Sequence, residues 1–246
     1  MASGSKAPRA AEREEARLPV RVKCQESEAG EWEQLTDLIN VSPFGALLQI
    51  NHPTEPGRLL HLTLPMPRRL RCYDHDDEDY CIWSLVRHLK TLAAEKDQLP
   101  PFEIGVAFIG KDCPTRHATD PAERYDLASP TTETGLWGLR ERPGSDTLTS
   151  SDRRSEARHN IAHDIVIEIY DAAGRVYKSE ATRTENISRH GMAVITNLSI
   201  VRGRYVRIRS AQFEIAVIAA VRRLAHTGDG GNRLHLEFVD QQWPPL

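Results

Sequence analysis

Two arginine pairs at a four-residue spacing, Arg13/Arg17 and Arg154/Arg158, and two copies of Asn-x-Ser-x-x-Gly, at residues 40–45 and 186–191, carry the binding chemistry of this chain. A guanidinium is a planar, permanently charged fork that clasps phosphates, donates to purine acceptors and stacks on flat rings. Asn40 and Asn186 can meet a purine edge, each offering one amide acceptor where Asp would offer two. Ser42 and Ser188 can bond a phosphate or hold their own turn, and Gly45 and Gly191 allow either close backbone approach or positive φ.

Taken singly, each motif also has a plain structural reading. Asn-x-Ser at a strand start is commonly a turn, and an arginine pair is commonly solvated surface. With 26 arginines in the chain, about three RxxxR matches are expected by chance. Arg9, Arg13, Arg17 and Arg21 form a ladder of overlapping pairs, from which Glu14-Glu15-Ala16, matched to Ser155-Glu156-Ala157, selects Arg13 and Arg17. The Asn-x-Ser-x-x-Gly pattern is rarer, with roughly 0.07 chance matches expected from this composition. Both copies follow an arginine pair at nearly the same distance, so the two halves read as a repeat.

The elements that must position these residues repeat as well. Leu18–Cys24 and Ile161–Tyr170 read as strands, with Ile165, Ile167 and Ile169 on one face. Each Gly leads into an apolar strand, Ala46–Ile50 and Met192–Thr196. Later strands match too: Cys81–Arg87 with Ala216–Arg222, and Glu103–Phe108 with Leu234–Phe238. The Thr227–Asn232 loop, with its Asp-Gly step, is a hairpin signal. Short strands between Gly and Pro turns predict an antiparallel barrel or sandwich in each half. Asp120-Pro121-Ala122-Glu123 predicts a short helix running to about Leu127. Residues 129–151, rich in Ser, Thr, Gly and Pro, read as a linker with Trp137 as an anchor that packs on a neighbouring barrel.

Composition narrows the function classes. A formal net charge of −3 argues against a surface devoted to duplex DNA. Four cysteines, all in the first half and without a CxxC pair, indicate neither a disulfide framework nor a zinc site. The acidic stretch Asp74–Asp79 lacks the glycine-punctuated spacing of a calcium loop and reads as a solvated turn. The sequence carries neither a membrane-spanning run nor a signal peptide, so a cytoplasmic protein is expected. The motifs of hydrolases and phosphate-binding loops are missing, and catalysis is not expected.

The order RxxxR, strand pair, Asn-x-Ser-x-x-Gly, with Gly105-Val106-Ala107-Phe108 as a later strand, resembles the PilZ family of bacterial cyclic di-GMP receptors. The resemblance spans roughly residues 9–115 and 150–242. It implies an all-β fold of two tandem six-stranded antiparallel PilZ-type β-barrels with little helix. The expected division is a first domain over 9–127 with a short C-terminal helix, a linker over 128–150 and a second domain over 151–242.

The implied ligand is cyclic di-GMP, with no cofactor and no metal. It would be held by Arg13, Arg17, Asn40, Ser42 and Gly45 in one domain and by Arg153, Arg154, Arg158, Asn186, Ser188 and Gly191 in the other. In the family an added basic residue before the arginine pair goes with capture of two stacked ligands. Arg153 stands there in the second copy and Glu12 in the first, so the second domain is expected to bind more tightly. The implied role is a receptor that changes conformation or partner contacts on binding, with a protein partner as output and no DNA. The alternative is a ligand-independent adaptor in pilus or motility machinery.

Overall fold

A computed structural model describes residues 17–27, 30–93, 99–142, 159–171, 173–228 and 230–245. In the first half, β1 (Pro19–Ser27), β2 (Gly30–Ser42), β3 (Gly45–Ile50), β4 (Leu59–Leu64), β5 (Tyr80–Thr91) and β6 (Phe102–Gly110) close into a barrel in the order β1-β2-β3-β6-β5-β4. A short helix α1 (Thr115–Thr119) and a hairpin of β7 (Tyr125–Pro130) and β8 (Trp137–Glu141) follow. In the second half, β9 (Asp164–Tyr170), β10 (Val176–Ser188), β11 (Gly191–Thr196), β12 (Tyr205–Ser210), β13 (Ile215–His226) and β14 (Asn232–Phe238) close in the order β10-β11-β14-β13-β12-β9. Strand for strand this is the same cycle, and all neighbours are antiparallel. Among the described residues no helix is long and apolar enough to cross a membrane.

Period-two alternation builds each core. Val20, Val22 and Cys24 of β1 point inward, as do Ile165, Ile167 and Ile169 of β9. The apolar run of β13 follows a different rule, because both of its faces are buried. Val217, Ala219 and Val221 fill the second barrel, whereas Ile218 and Ala220, together with Tyr205 of β12, join the cluster that forms the core of the first. The matching outer positions of the first barrel, Leu59, Trp83 and Leu85, are covered instead by Tyr125, Leu127 and Leu139 of the β7–β8 hairpin. Equivalent faces of the two barrels are thus shielded from water by different partners, one by the hairpin and one by the other barrel.

Two sequence expectations are corrected here. The helix expected from Asp120 lies five residues earlier, and Asp120 ends it: its N–H donates to Arg116 O at 2.8 Å, and its Oδ1 accepts from Ala122 N at 3.2 Å. Residues 125–130 cannot be helical because they pair with β8 and bury Tyr125 against Leu59 and Leu85. The segment read as a linker from residue 128 begins inside that hairpin, and its buried anchor is Leu136, with Trp137 half-buried. The acidic stretch is a loop tied down by Arg71, whose guanidinium donates to the carbonyls of Asp74, Asp77 and Glu78.

A set of ions closes the contact between barrels. Glu55, 3% exposed, accepts hydrogen bonds from both terminal nitrogens of Arg222, from Arg124 and from the Tyr205 hydroxyl. Arg222 also donates through Nε to Glu237 at 2.6 Å. Arg202 pairs with Asp120 at 2.8 Å, and Arg204 with Glu26 at 3.4 Å.

Two buried histidines make stability depend on acid. His52 stacks on Trp32 with ring centres 4.4 Å apart, and His117 packs edge-on against Trp83 with both ring nitrogens unpartnered. Burial, aided by Arg204 near His52 and Arg58 near His117, pushes both down to about 4. Between that value and the ordinary 6.5 only the unfolded chain binds these protons, so stability falls as pH drops through this window. Asp240, raised to about 6 by burial, and Glu26, also raised by burial, run the opposite way, while His61, lowered by burial, adds to the effect of the two histidines. The urea midpoint is therefore expected to fall from pH 7 to pH 5, and to fall less in His117→Phe.

Candidate functional site

The two Asn-x-Ser-x-x-Gly turns have one geometry. In each, a β-bulge interrupts the ladder just before the Asn: register shifts between Leu38 and Asn40, and between Thr184 and Asn186. The extra residues are Ile39 and Glu185. The bulge sets Asn40 opposite Leu47 and Asn186 opposite Ala193. In both barrels the Asn Oδ1 is buried and has no hydrogen-bond partner among the described residues. A buried acceptor left unpaired is costly, and these two lie at equivalent positions of the two barrels.

The other turn residues have structural duties. Ser42 Oγ donates to Gly45 O at 3.2 Å and accepts from Phe44 N at 3.3 Å, and Ser188 does the same with Gly191 O and His190 N at 3.3 and 3.4 Å. The serines hold the turns. A methyl group on Gly45 would lie 2.3 Å from Val106 O, and one on Gly191 would lie 2.3 Å from Leu236 O. Neither glycine takes a positive φ; each lets the carbonyl of the neighbouring strand come close.

In the second barrel the Asn opens into a cleft of about 280 Å³ lined by Asn160, Glu185, Asn186, Ala193, Arg233 and His235. Arg233 Nη2 donates to Glu185 Oε1 at 2.6 Å, and the carboxylate holds the guanidinium more firmly charged. His159, which follows Arg158 in the chain, exchanges two backbone hydrogen bonds with Ile187, at 2.9 and 3.0 Å. His159 is therefore fastened one residue from Asn186. Arg13, Arg153, Arg154 and Arg158 lie outside the described residues; Arg17 is exposed just before β1.

The first barrel builds the corresponding face from other residues. Ile39 replaces Glu185, Leu47 replaces Ala193, and Glu103 replaces Arg233. Gly105 stands where His235 does, and the His88 ring covers it, so that a methyl there would meet His88 Cε1 at 1.8 Å. The cleft residues of the second barrel escape a reading of the sequence because only the bulge and the strand pairing bring them beside Asn186. Outward positions of β11 and β14 would have found them had the register been known.

Strand pairing also spaces the repeats. Pro19 opposite Asp37 corresponds to Asp164 opposite Arg183, a separation of 145 or 146 positions. The Leu18 carbonyl that accepts from Leu38 N corresponds likewise to the His163 carbonyl that accepts from Thr184 N. On this spacing Arg154 and Arg158 fall opposite Arg9 and Arg13, whereas the Glu-Ala match, at 141, aligns them with Arg13 and Arg17.

Residues 152–242 match the family of the PilZ domain. The matched span is the second barrel, and the first, outside it, repeats its strand cycle, bulge and turn. No curated protein matches the chain. Among solved structures, the Bacillus subtilis inhibitor of motility MotI/DgrA is similar at 16% identity and a TM-score of 0.30, over 92% of this chain and 88% of that one. Borreliella burgdorferi PlzA, solved in complex with c-di-GMP, is similar at 10% identity and 0.28, over 93% and 87%. Escherichia coli YcgR, also solved with c-di-GMP, is similar at 12% identity and 0.24, over 91% and 76%.

Proposed function

We propose that this protein is a cyclic di-GMP receptor whose principal site is the outer face of β10, β11 and β14. The observation that carries this reading is the buried Asn186 Oδ1, without a partner among the described residues, in the lining of a cleft and one residue from Ile187, to which His159, the residue after Arg158 in the chain, is bonded. A guanine N–H supplies the missing donor to Asn186, and the arginines supply phosphate and ring contacts. Arg153, Arg154, Arg158, Asn186 and Gly191 belong to this site, with Ser188 holding its turn.

The first barrel, with Leu47 and Ile39 beside Asn40 and an acid at Glu103, is the weaker site. Its arginines are Arg9 and Arg13 on the strand spacing, and Arg13 belongs to either alignment. The protein acts in the cytoplasm as a receptor, not a catalyst, and passes occupancy to a protein partner.

Calorimetric titration with cyclic di-GMP tests the assignment. Wild type is expected to bind. Because a charge-assisted hydrogen bond is worth about 1.5–3 kcal/mol, Arg158→Ala and Asn186→Ala are each expected to weaken binding by about tenfold or more, while Arg17→Ala leaves the principal site intact. No heat from the wild type would rule out the receptor reading.

A further inference from the structure

We propose that Arg233 of β14 is a ligand-gripping residue of the second barrel and that Glu185, the bulge residue of β10, is a latch that holds it until an anionic ligand takes its place. This rests on the cyclic di-GMP reading and extends it to two residues outside the Asn-x-Ser-x-x-Gly and RxxxR motifs. Three observations carry it. Both side chains line the cleft that exposes the unpartnered Asn186. They are joined by a 2.6 Å hydrogen bond between strands that are not neighbours in sequence, Arg233 lying opposite Ile195 and Glu185 being the residue left over at the bulge. In the first barrel both are replaced, by Glu103 and Ile39, so that cation and latch are absent together.

The electrostatics give the arrangement a direction. Arg233 is about half exposed, at 46% of its side chain, and Glu185 is 28% exposed, so the pair sits at the rim and is readily exchanged. A cyclic dinucleotide carries two phosphate charges and presents oxygens that a guanidinium grips in pairs. Releasing Arg233 from Glu185 exchanges one carboxylate for a phosphate on the same fork. Glu185 left beside a bound dianion opposes it by like charge, which keeps the empty state closed against weaker, singly charged anions.

The test is titration of the full chain with cyclic di-GMP at two or more salt concentrations. Arg233→Gln is expected to weaken binding about tenfold or more and to flatten the salt dependence. Glu185→Gln is expected to tighten binding several-fold, and that gain should vanish in the double variant, since it acts through Arg233. Both sites are at the surface, and thermal melts check that the variants remain folded. Arg233→Gln binding as wild type does, or Glu185→Gln weakening binding, would overturn this inference while leaving the receptor assignment standing. A wild type that gives no heat would overturn both.

Discussion

Glu55→Ala is expected to destabilise the protein by about 3–5 kcal/mol, the usual penalty for removing one member of a buried ionic cluster. The loss comes less from the bonds removed than from the charges left behind. Arg222 would lose both of its bonds to Glu55, Arg124 would lose one of its two carboxylate partners, and Tyr205 would lose its acceptor. Arg58, 1% exposed beside Cys24 and Tyr205, would lose a nearby counter-charge.

Burial alone would raise the Glu55 carboxyl. The Arg222 hydrogen bonds and the charges of Arg222, Arg124 and Arg58 outweigh burial and hold it below the ordinary value of 4.5. Its folded form therefore contributes stability above that value, and the contribution is lost as pH falls. Urea unfolding followed by tryptophan fluorescence is the measurement. The wild type is expected to unfold in one transition because the barrels share a buried cluster. Glu55→Ala should lower the midpoint and separate a second transition, and Glu55→Gln, which keeps an acceptor for Tyr205, should fall between. An unshifted midpoint in Glu55→Ala would show that the contact contributes nothing to stability.

Gly191→Ala is expected to disrupt both the fold of the second barrel and ligand binding. Its added methyl would sit 2.3 Å from Leu236 O, a backbone atom that cannot rotate away. Strand β11 would have to move off β14, opening the pair Gly191–Glu237 and shifting Ala193 and His235, which line the cleft. Overpacking of this kind costs about 1–3 kcal/mol, and cyclic di-GMP affinity should drop by more than tenfold. Gly45→Ala should destabilise the first barrel in the same way through Val106 O, with little effect on the second site. Gly228→Ala is the control: nothing lies within 4 Å of its added methyl, and stability and binding should both be unchanged.

Between the two barrels, much of this architecture is legible as a repeat. The alternation of Ile165, Ile167 and Ile169, the Asp-Gly step at residues 229–230 and the paired Asn-x-Ser-x-x-Gly turns are local signals. Side-chain period and turn chemistry act over a few residues, and they specify strands and hairpins wherever the chain later goes. Local reading failed where a long-range contact outvoted it. Asp120-Pro121 has the form of a helix start, yet Tyr125 gains more by burial against Leu59 and Leu85 than a short helix could return. The apparent linker became a hairpin for the same reason: the outer face of β4 and β5 needed a cover.

The motif residues divide in the same way. The residue types at Arg154, Arg158, Asn186, Ser188 and Gly191 follow from sequence, and so does the chemistry they offer. That Ser188 holds its turn and Gly191 admits the Leu236 carbonyl was decided by packing. Likewise, a strand spacing of 145 or 146 against a motif spacing of 141 appears only when β1 and β9 are paired with their neighbours. Sequence alone determined that the chain is a repeat with two arginine-and-asparagine motifs. Tertiary structure alone decided which residues stand beside each Asn, because a bulge and a strand register join positions some 50 residues apart. That joining gives one barrel an Arg233–Glu185 cleft and the other a face of Ile39, Leu47 and Glu103 with His88 over Gly105.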